Sequence, residues 1–170
     1  DGYRNNLTEA LPILKEFGFS ATCYIISQKI GGVNEWDLEK GIPENPLMDE
    51  DDIHQWIDGG MEIGSHTQNH VHLTECDTQQ AEMEITQSKQ DLEQLFGSTI
   101  DHFCYPWGKH TTNIAQLTKQ TKYQSATTTK RGRATQAHSL QHLPRVPVSH
   151  STLPHLFLLK VLTAYEDRRG

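Results

Sequence analysis

The chain has 170 residues, a formal net charge of −7 and 35% hydrophobic residues, which fits one globular domain with a sizeable core. We therefore expect residues 1–170 to fold as a single domain. The negative charge argues against a nucleic acid partner, and the absence of an apolar run of about 18 residues argues against a membrane span. Three cysteines without a pairing pattern, and no visible signal peptide, favour a cytoplasmic location.

The first half of the chain alternates between helical and extended patterns. Apolar residues recur at helical spacing before Gly18, and a continuous apolar stretch follows. The predicted elements are a helix over 7–17, a buried strand over 19–26, a loop over 31–46, a helix that Asp49 caps and Gly59 ends, and a short strand over 61–65.

The second half continues the alternation. Its predicted elements are a long helix from Asp77 to Gly97, a strand over 102–105, a helix over 111–121, a strand over 123–128, an irregular loop over 129–142, a strand over 143–148 and a helix over 154–166. In the last helix, Leu156, Leu159 and either Leu162 or Tyr165 are expected to face inwards. This order predicts an α/β fold with a mostly parallel sheet, closed or partly closed into a (β/α) barrel.

Two histidines follow the strand predicted at 61–65. His66 and His70 are four residues apart, so one tight turn brings both imidazoles to one side, about 5–6 Å apart. Two imidazoles and a carboxylate suit zinc and leave a position for water. Capping or surface roles are the alternative in a chain with ten histidines. His72 should point away, as a solvated residue or a support of the site rather than a fourth ligand.

Other candidate residues fall at neighbouring strand ends. Trp107 and His150 each follow a predicted strand, and Asp1 precedes a helix, which fits the same place after a strand that is absent from this chain. All of them are therefore expected at the carboxyl edge of the sheet, where barrel enzymes assemble their sites.

These segments resemble the NodB-homology polysaccharide deacetylases, a carbohydrate esterase family that removes N- or O-acetyl groups from glycans with a divalent metal. Residues 66–70, His-Thr-Gln-Asn-His, match the family motif His-Ser/Thr-x-x-His. Residues 103–108, Phe-Cys-Tyr-Pro-Trp-Gly, are similar to Phe-Ala-Tyr-Pro-Tyr-Gly, and residues 1–3 look like the last Asp-Gly of Thr-Phe-Asp-Asp-Gly and the residue after it. The resemblance implies a distorted (β/α) barrel of the polysaccharide deacetylase type, truncated before its first strand.

The resemblance also implies the roles of the motif residues. The metal ligands would be Asp1, His66 and His70. The metal would be Zn²⁺, with Co²⁺ or Ni²⁺ as alternatives. The backbone N–H of Trp107 would donate to the oxyanion, Pro106 would stiffen that turn, and the substrate would contact Tyr105, Pro106 and Trp107.

The leaving amine of such a reaction needs a general acid. A histidine with a pKa near about 6.5 is a natural acid, and His150 is the candidate. The rivals are His138, His142 and His155, and a solvated loop histidine is the alternative interpretation. Arg145 would pair with the site carboxylate in place of the family arginine that Cys104 replaces, or else seal the barrel end.

We therefore expect a metal-dependent hydrolase that removes acetyl groups from an N-acetylated sugar or polysaccharide, with an acetylated glycan as its partner. The alternatives are hydrolysis of a non-sugar amide on the same fold and a catalytically silent metal- or glycan-binding domain. The family's general base precedes Asp1 and has no counterpart here, so we expect activity at least ~10²-fold below that of a chain that carries it.

Overall fold

The computed structural model describes residues 1–38 and 40–169. Its centre is a sheet of five parallel strands whose spatial order equals their order in the chain. The strands are β1 (Thr22–Ile25), β2 (Glu62–Ser65), β3 (His102–Cys104), β4 (Ser125–Arg131) and β5 (Leu143–Arg145). The predicted α/β class is confirmed. In the described residues β1 and β5 are not paired with each other, so the sheet is open rather than a closed barrel.

Helices connect β1 to β4, and a loop over 132–142 joins β4 to β5. A π-helical turn (Asn6–Ala10) runs into α1 (Leu11–Glu16), and the others are α2 (Glu35–Leu38), α3 (Glu50–Asp58), α4 (Thr78–Phe96), α5 (Thr112–Gln120) and α6 (Pro154–Leu162). The predicted caps are confirmed: Asp49 accepts the N–H of Asp52 at 2.8 Å, and Asp77 accepts that of Gln80 at 2.8 Å. Gly97 ends α4 at φ +64°, a conformation that favours glycine.

The hydrophobic core lies between the sheet and its helices. Helix α4 contributes Ile85 and Leu92, both completely buried, and β3 contributes Phe103. The Phe103 ring lies 5.3 Å from that of Tyr105 and 5.1 Å from that of Tyr123. Because such a core is densely packed, it holds the strand ends in one arrangement.

Several predicted boundaries are corrected. The first strand begins at Thr22 instead of residue 19, and Phe19 is 66% exposed. The loop over 31–46 contains α2, and β4 runs on to Arg131. Strand β5 stops at Arg145 instead of Val148, and Pro147 has no N–H with which to extend the ladder.

The inward face predicted for the last helix holds only in part: Leu156 and Tyr165 are half-buried, but Leu159 is exposed. In α6, Leu159 and Leu162 are 43% and 73% exposed, whereas Lys160 is buried. The Lys160 ammonium donates to the Pro147 carbonyl at 2.8 Å and pairs with the buried carboxylate of Glu166. A buried carboxylate needs such partners, and this requirement turns Lys160 inwards. Within the described residues, no helix combines the length and apolar character that crossing a bilayer demands.

Candidate metal centre and active site

The turn after β2 carries both candidate histidine ligands. Thr67 and His70 adopt positive φ values of 68° and 58°, and the N–H of His70 donates to Thr67 Oγ1 at 3.0 Å. The rings of His66 and His70 are 4.9 Å apart, and the two residues are only 4% and 6% exposed. A tight, left-handed turn thus brings both imidazoles to the carboxyl edge of the sheet.

A backbone carbonyl of β3 orients His66. Its Nδ1 lies 2.6 Å from the Cys104 carbonyl oxygen, so Nδ1 carries the proton and donates it. The other nitrogen, Nε2, then offers a lone pair on the side of Asp1, whose Oδ1 is 3.1 Å away. This arrangement, with one ring N–H bonded to a carbonyl, is typical of metal-binding histidines.

The donor set fits a divalent transition metal. One ligand atom each of Asp1, His66 and His70 lies within 4.8 Å of the others. Nδ1 of His70 is buried without a hydrogen-bond partner among the described residues. Burial and the repulsion between a charged His70 and the neighbouring His66 lower the pKa of His70 to about 2, so its imidazole is neutral and can bind a metal. Two imidazoles and a carboxylate suit Zn²⁺, Co²⁺ or Ni²⁺.

A cavity of about 320 Å³ opens above this centre. Trp36 and Trp107 form two of its walls, and each ring lies 4.3 Å from the His70 ring. Asp37 and Lys40 line it as well, with Nζ of Lys40 2.9 Å from Asp37 Oδ1. Asp37 and Lys40 were missed in the sequence because the loop around α2 has neither a periodic pattern nor a recognisable motif.

The turn after β3 places Trp107. Its φ is 53°, and the Gly108 N–H donates to the Tyr105 carbonyl at 2.8 Å. Thr129 Oγ1 donates to the Trp107 carbonyl at 3.1 Å, and neither bond uses the N–H of Trp107. His72 stacks on the Trp107 ring at 3.6 Å, so it supports this wall of the cavity.

Comparison with known proteins agrees with this geometry. A family model described as polysaccharide deacetylase matches residues 1–126. The chain belongs to the polysaccharide deacetylase family. The Bacillus subtilis (strain 168) protein YxkH, which is provisionally named a polysaccharide deacetylase, is 29% identical over 149 residues, 88% of this chain and 49% of YxkH.

Two solved structures extend the comparison. The polysaccharide deacetylase BC0361 from Bacillus cereus is 27% identical with a TM-score of 0.78, over 94% of this chain and 48% of its own. The Streptococcus pyogenes deacetylase PplD, solved in complex with acetate, has a TM-score of 0.80 at 24% identity. The match covers 94% of this chain and 66% of PplD. At this level of identity, the similarity to PplD shows a shared fold. The chain spans about half the length of YxkH and of BC0361.

Within the family motif, Tyr105 is among the residues that line the cavity, but its ring faces the core. Its side chain is completely buried, and its hydroxyl is 3.0 Å from both Thr118 Oγ1 and the Gln141 carbonyl. Burial raises the pKa of Tyr105 to about 12. The ring therefore belongs to the core, and only the backbone of Tyr105 is left to contact a substrate. Pro106 is also buried.

In this family member, Arg145 lines the same cavity as Asp1. Its Nε donates to the Thr128 carbonyl at 2.7 Å, and it forms no ion pair within the described residues. The guanidinium thus places positive charge at the cavity, and a carbonyl in the middle of β4 holds it.

The structure does not bring His150 to the cavity. His150 lies exposed on a turn beyond β5, because that strand ends at Arg145 and the following residues leave the sheet. Its rivals are also absent from the cavity lining. His138 is half-buried and His155 is exposed, and His142 pairs instead with His110, Nδ1 to Nε2, at 2.5 Å.

Proposed function

We propose that this chain is a catalytic domain that removes acetyl groups from an N-acetylated sugar or polysaccharide by metal-dependent hydrolysis. The observation that carries the proposal is the cluster of Asp1, His66 and His70, with ligand atoms within 4.8 Å, at a cavity with two tryptophan walls. Membership of the polysaccharide deacetylase family supports it. Acetate, found with PplD, is the product that deacetylation releases.

The proposed metal site uses residues that are already oriented. Asp1, His66 and His70 would hold the ion, with Zn²⁺ first and Co²⁺ or Ni²⁺ as alternatives. When bound, such an ion supplies Lewis-acid chemistry, which polarises a carbonyl and makes water more acidic. His66 keeps its proton on Nδ1, which donates a hydrogen bond to the Cys104 carbonyl. This bond holds the imidazole in one orientation.

The surrounding residues would bind and position the acetyl group. Trp36 and Trp107 offer apolar faces on which a sugar ring or an acetyl methyl group can pack. The Trp107 N–H, which is not used by the bonds that shape its turn, would donate to the acetyl oxygen as this atom gains negative charge. Arg145 adds positive charge at the same cavity.

Asp37, which lines the cavity, would have a structural role. Burial opposes its ionisation, but hydrogen bonds from Lys40 and from the Tyr3 hydroxyl outweigh burial and lower its pKa. The Tyr3 hydroxyl lies 3.2 Å from Asp37 Oδ2, so the carboxylate links α2 to the segment that begins with Asp1.

Metal binding and acetate release test the proposal. We expect the chain to bind about one Zn²⁺ and to release acetate from acetylated oligosaccharides only when the metal is present. His66→Ala and His70→Ala should abolish Zn²⁺ binding, whereas the exposed His155→Ala should not. Undiminished binding in either of the first two variants would contradict the metal site. Hydrolysis of small linear or cyclic amides in place of acetylated sugars would contradict the substrate class.

A further inference from the structure

A buried carboxylate of α4 holds the backbone between the two candidate histidine ligands. Glu84 is 2% exposed, and its Oε2 accepts the N–H of Gln68 at 2.9 Å and that of Asn69 at 3.0 Å. Its Oε1 accepts the side-chain amide of Asn69 at 2.8 Å. Gln68 and Asn69 lie between His66 and His70, so one side chain contacts the turn at three points.

The turn needs such a restraint. Thr67 and His70 are non-glycine residues at positive φ, a strained conformation that persists only where the surroundings impose it. Glu84 in turn forms no ion pair within the described residues, so the donors of the turn are the groups that compensate its buried charge. The strained turn and the buried carboxylate therefore stabilise each other.

A second carboxylate of α4 extends the restraint. Asp91 lies seven residues after Glu84, about two helical turns along the same face. Its Oδ2 accepts the side-chain amide of Gln68 at 3.0 Å, and also the Ser27 hydroxyl at 2.9 Å and the Gln28 amide at 3.0 Å. Because Ser27 and Gln28 follow β1, Asp91 joins the turn to the neighbouring strand end.

We propose that Glu84 is a positioning residue that presets the His66–His70 turn for metal binding. It touches neither the metal ligands' ring nitrogens nor the cavity, and it acts through the backbone N–H groups of Gln68 and Asn69. The inference rests on the metal site proposed above, and it adds the residue that keeps this site in a binding geometry before the ion arrives.

Amide hydrogen exchange in the metal-free protein tests the restraint directly. Glu84→Ala should accelerate exchange of the Gln68 and Asn69 amides by at least about tenfold relative to wild type, because both lose a charged acceptor. Glu82→Ala is the matched control, since Glu82 lies exposed on the same helix. Unchanged exchange at both amides in a folded Glu84→Ala variant would overturn the proposal.

Zn²⁺ affinity, measured by competition with a chromophoric chelator, tests the consequence. Glu84→Ala should weaken binding about 10–100-fold, the scale known for residues that support metal ligands. Glu84→Gln keeps an acceptor of equal reach and should recover most of the affinity, whereas the shorter Glu84→Asp should not. If Glu84→Ala fails to fold, the Zn²⁺ affinities of Glu84→Gln and Glu84→Asp decide the test.

The outcomes separate this inference from the proposed function. Affinity in Glu84→Asp equal to that of wild type would overturn the positioning role while leaving the metal site in place. Loss of affinity in Glu84→Asp that Glu84→Gln does not share would support the role. A wild-type chain that binds no Zn²⁺ would overturn the metal site itself, and the exchange experiment would still decide whether Glu84 restrains the turn.

Discussion

The Nδ1 atom of His66 lies 2.6 Å from the backbone carbonyl oxygen of Cys104. A carbonyl oxygen can only accept, so this contact determines which nitrogen of His66 carries the proton and which one is available to a metal. It also joins the end of β2 to the end of β3, two segments that each carry part of the candidate site. Orientation of this ligand thus depends on the path of the β3 backbone.

Replacing the Cys104 side chain should therefore leave metal binding intact. We expect Cys104→Ala to bind Zn²⁺ within about threefold of wild type, because the carbonyl that orients His66 remains. The lost packing of a residue that is 4% exposed should lower the free energy of unfolding by about 1–2 kcal/mol. Chelator competition and urea unfolding measure the two effects. A loss of affinity well beyond tenfold would instead show that the thiol takes part.

Trp36 should affect substrate binding more than turnover. Its ring forms a wall of the cavity beside His70. Stacking against an aromatic ring is worth about 0.5–1.5 kcal/mol beyond the contribution of the buried area. Trp36→Ala is expected to raise KM for an acetylated oligosaccharide about 5–10-fold with kcat within about twofold, and Trp36→Phe to stay close to wild type. Steady-state kinetics decide this. A fall in kcat at constant KM would assign Trp36 to the positioning of His70.

Gly108 should tolerate no side chain. Its φ is +71°, and a Cβ atom there would overlap the backbone nitrogen and Oγ1 of Thr129. Gly97 is the matched control, because it has φ +64° but open space where a Cβ atom would lie. We expect Gly97→Ala to cost about 1 kcal/mol of unfolding free energy and Gly108→Ala at least about 2 kcal/mol more. Equal costs in urea unfolding would contradict the close approach of Thr129.

The pair His110 and His142 should make stability depend on pH. Burial and the positive charge of His110 lower the pKa of His142 below its ordinary value of 6.5. The unfolded chain then binds more protons there than the folded chain, so the free energy of unfolding rises with pH in this window. The contribution of His142 is complete above pH 6.5 and is lost as pH falls below it towards the lowered pKa.

Urea unfolding of the metal-free protein across this range measures the effect. His142→Gln should show a shallower rise in unfolding free energy with pH than wild type, because the titrating group is gone. His155→Gln should keep the wild-type slope, since His155 lies exposed on α6. Identical slopes for wild type and His142→Gln would refute the lowered pKa.

The local features of the site could be predicted from the sequence. The spacing of His66 and His70, the caps at Asp49 and Asp77, and the turn that holds Trp107 all depend on residues within a few positions of one another. Periodicity also predicted the parallel α/β fold. The sequence did not predict the contacts that long-range packing decides: Lys160 of α6 turns inwards and pairs with the buried Glu166, and the Tyr105 hydroxyl lies in the core beside Thr118 and Gln141.

The sequence by itself determined the family motifs and the order of strands and helices, because these follow from short-range spacing and backbone preferences. Only the tertiary structure decided that Asp37 and Lys40 line the cavity, that His150 stays outside it and that Glu84 holds the histidine turn. These relationships depend on strand register and on how helices pack across the sheet. Such contacts join distant segments, and no local pattern encodes which side chains meet there.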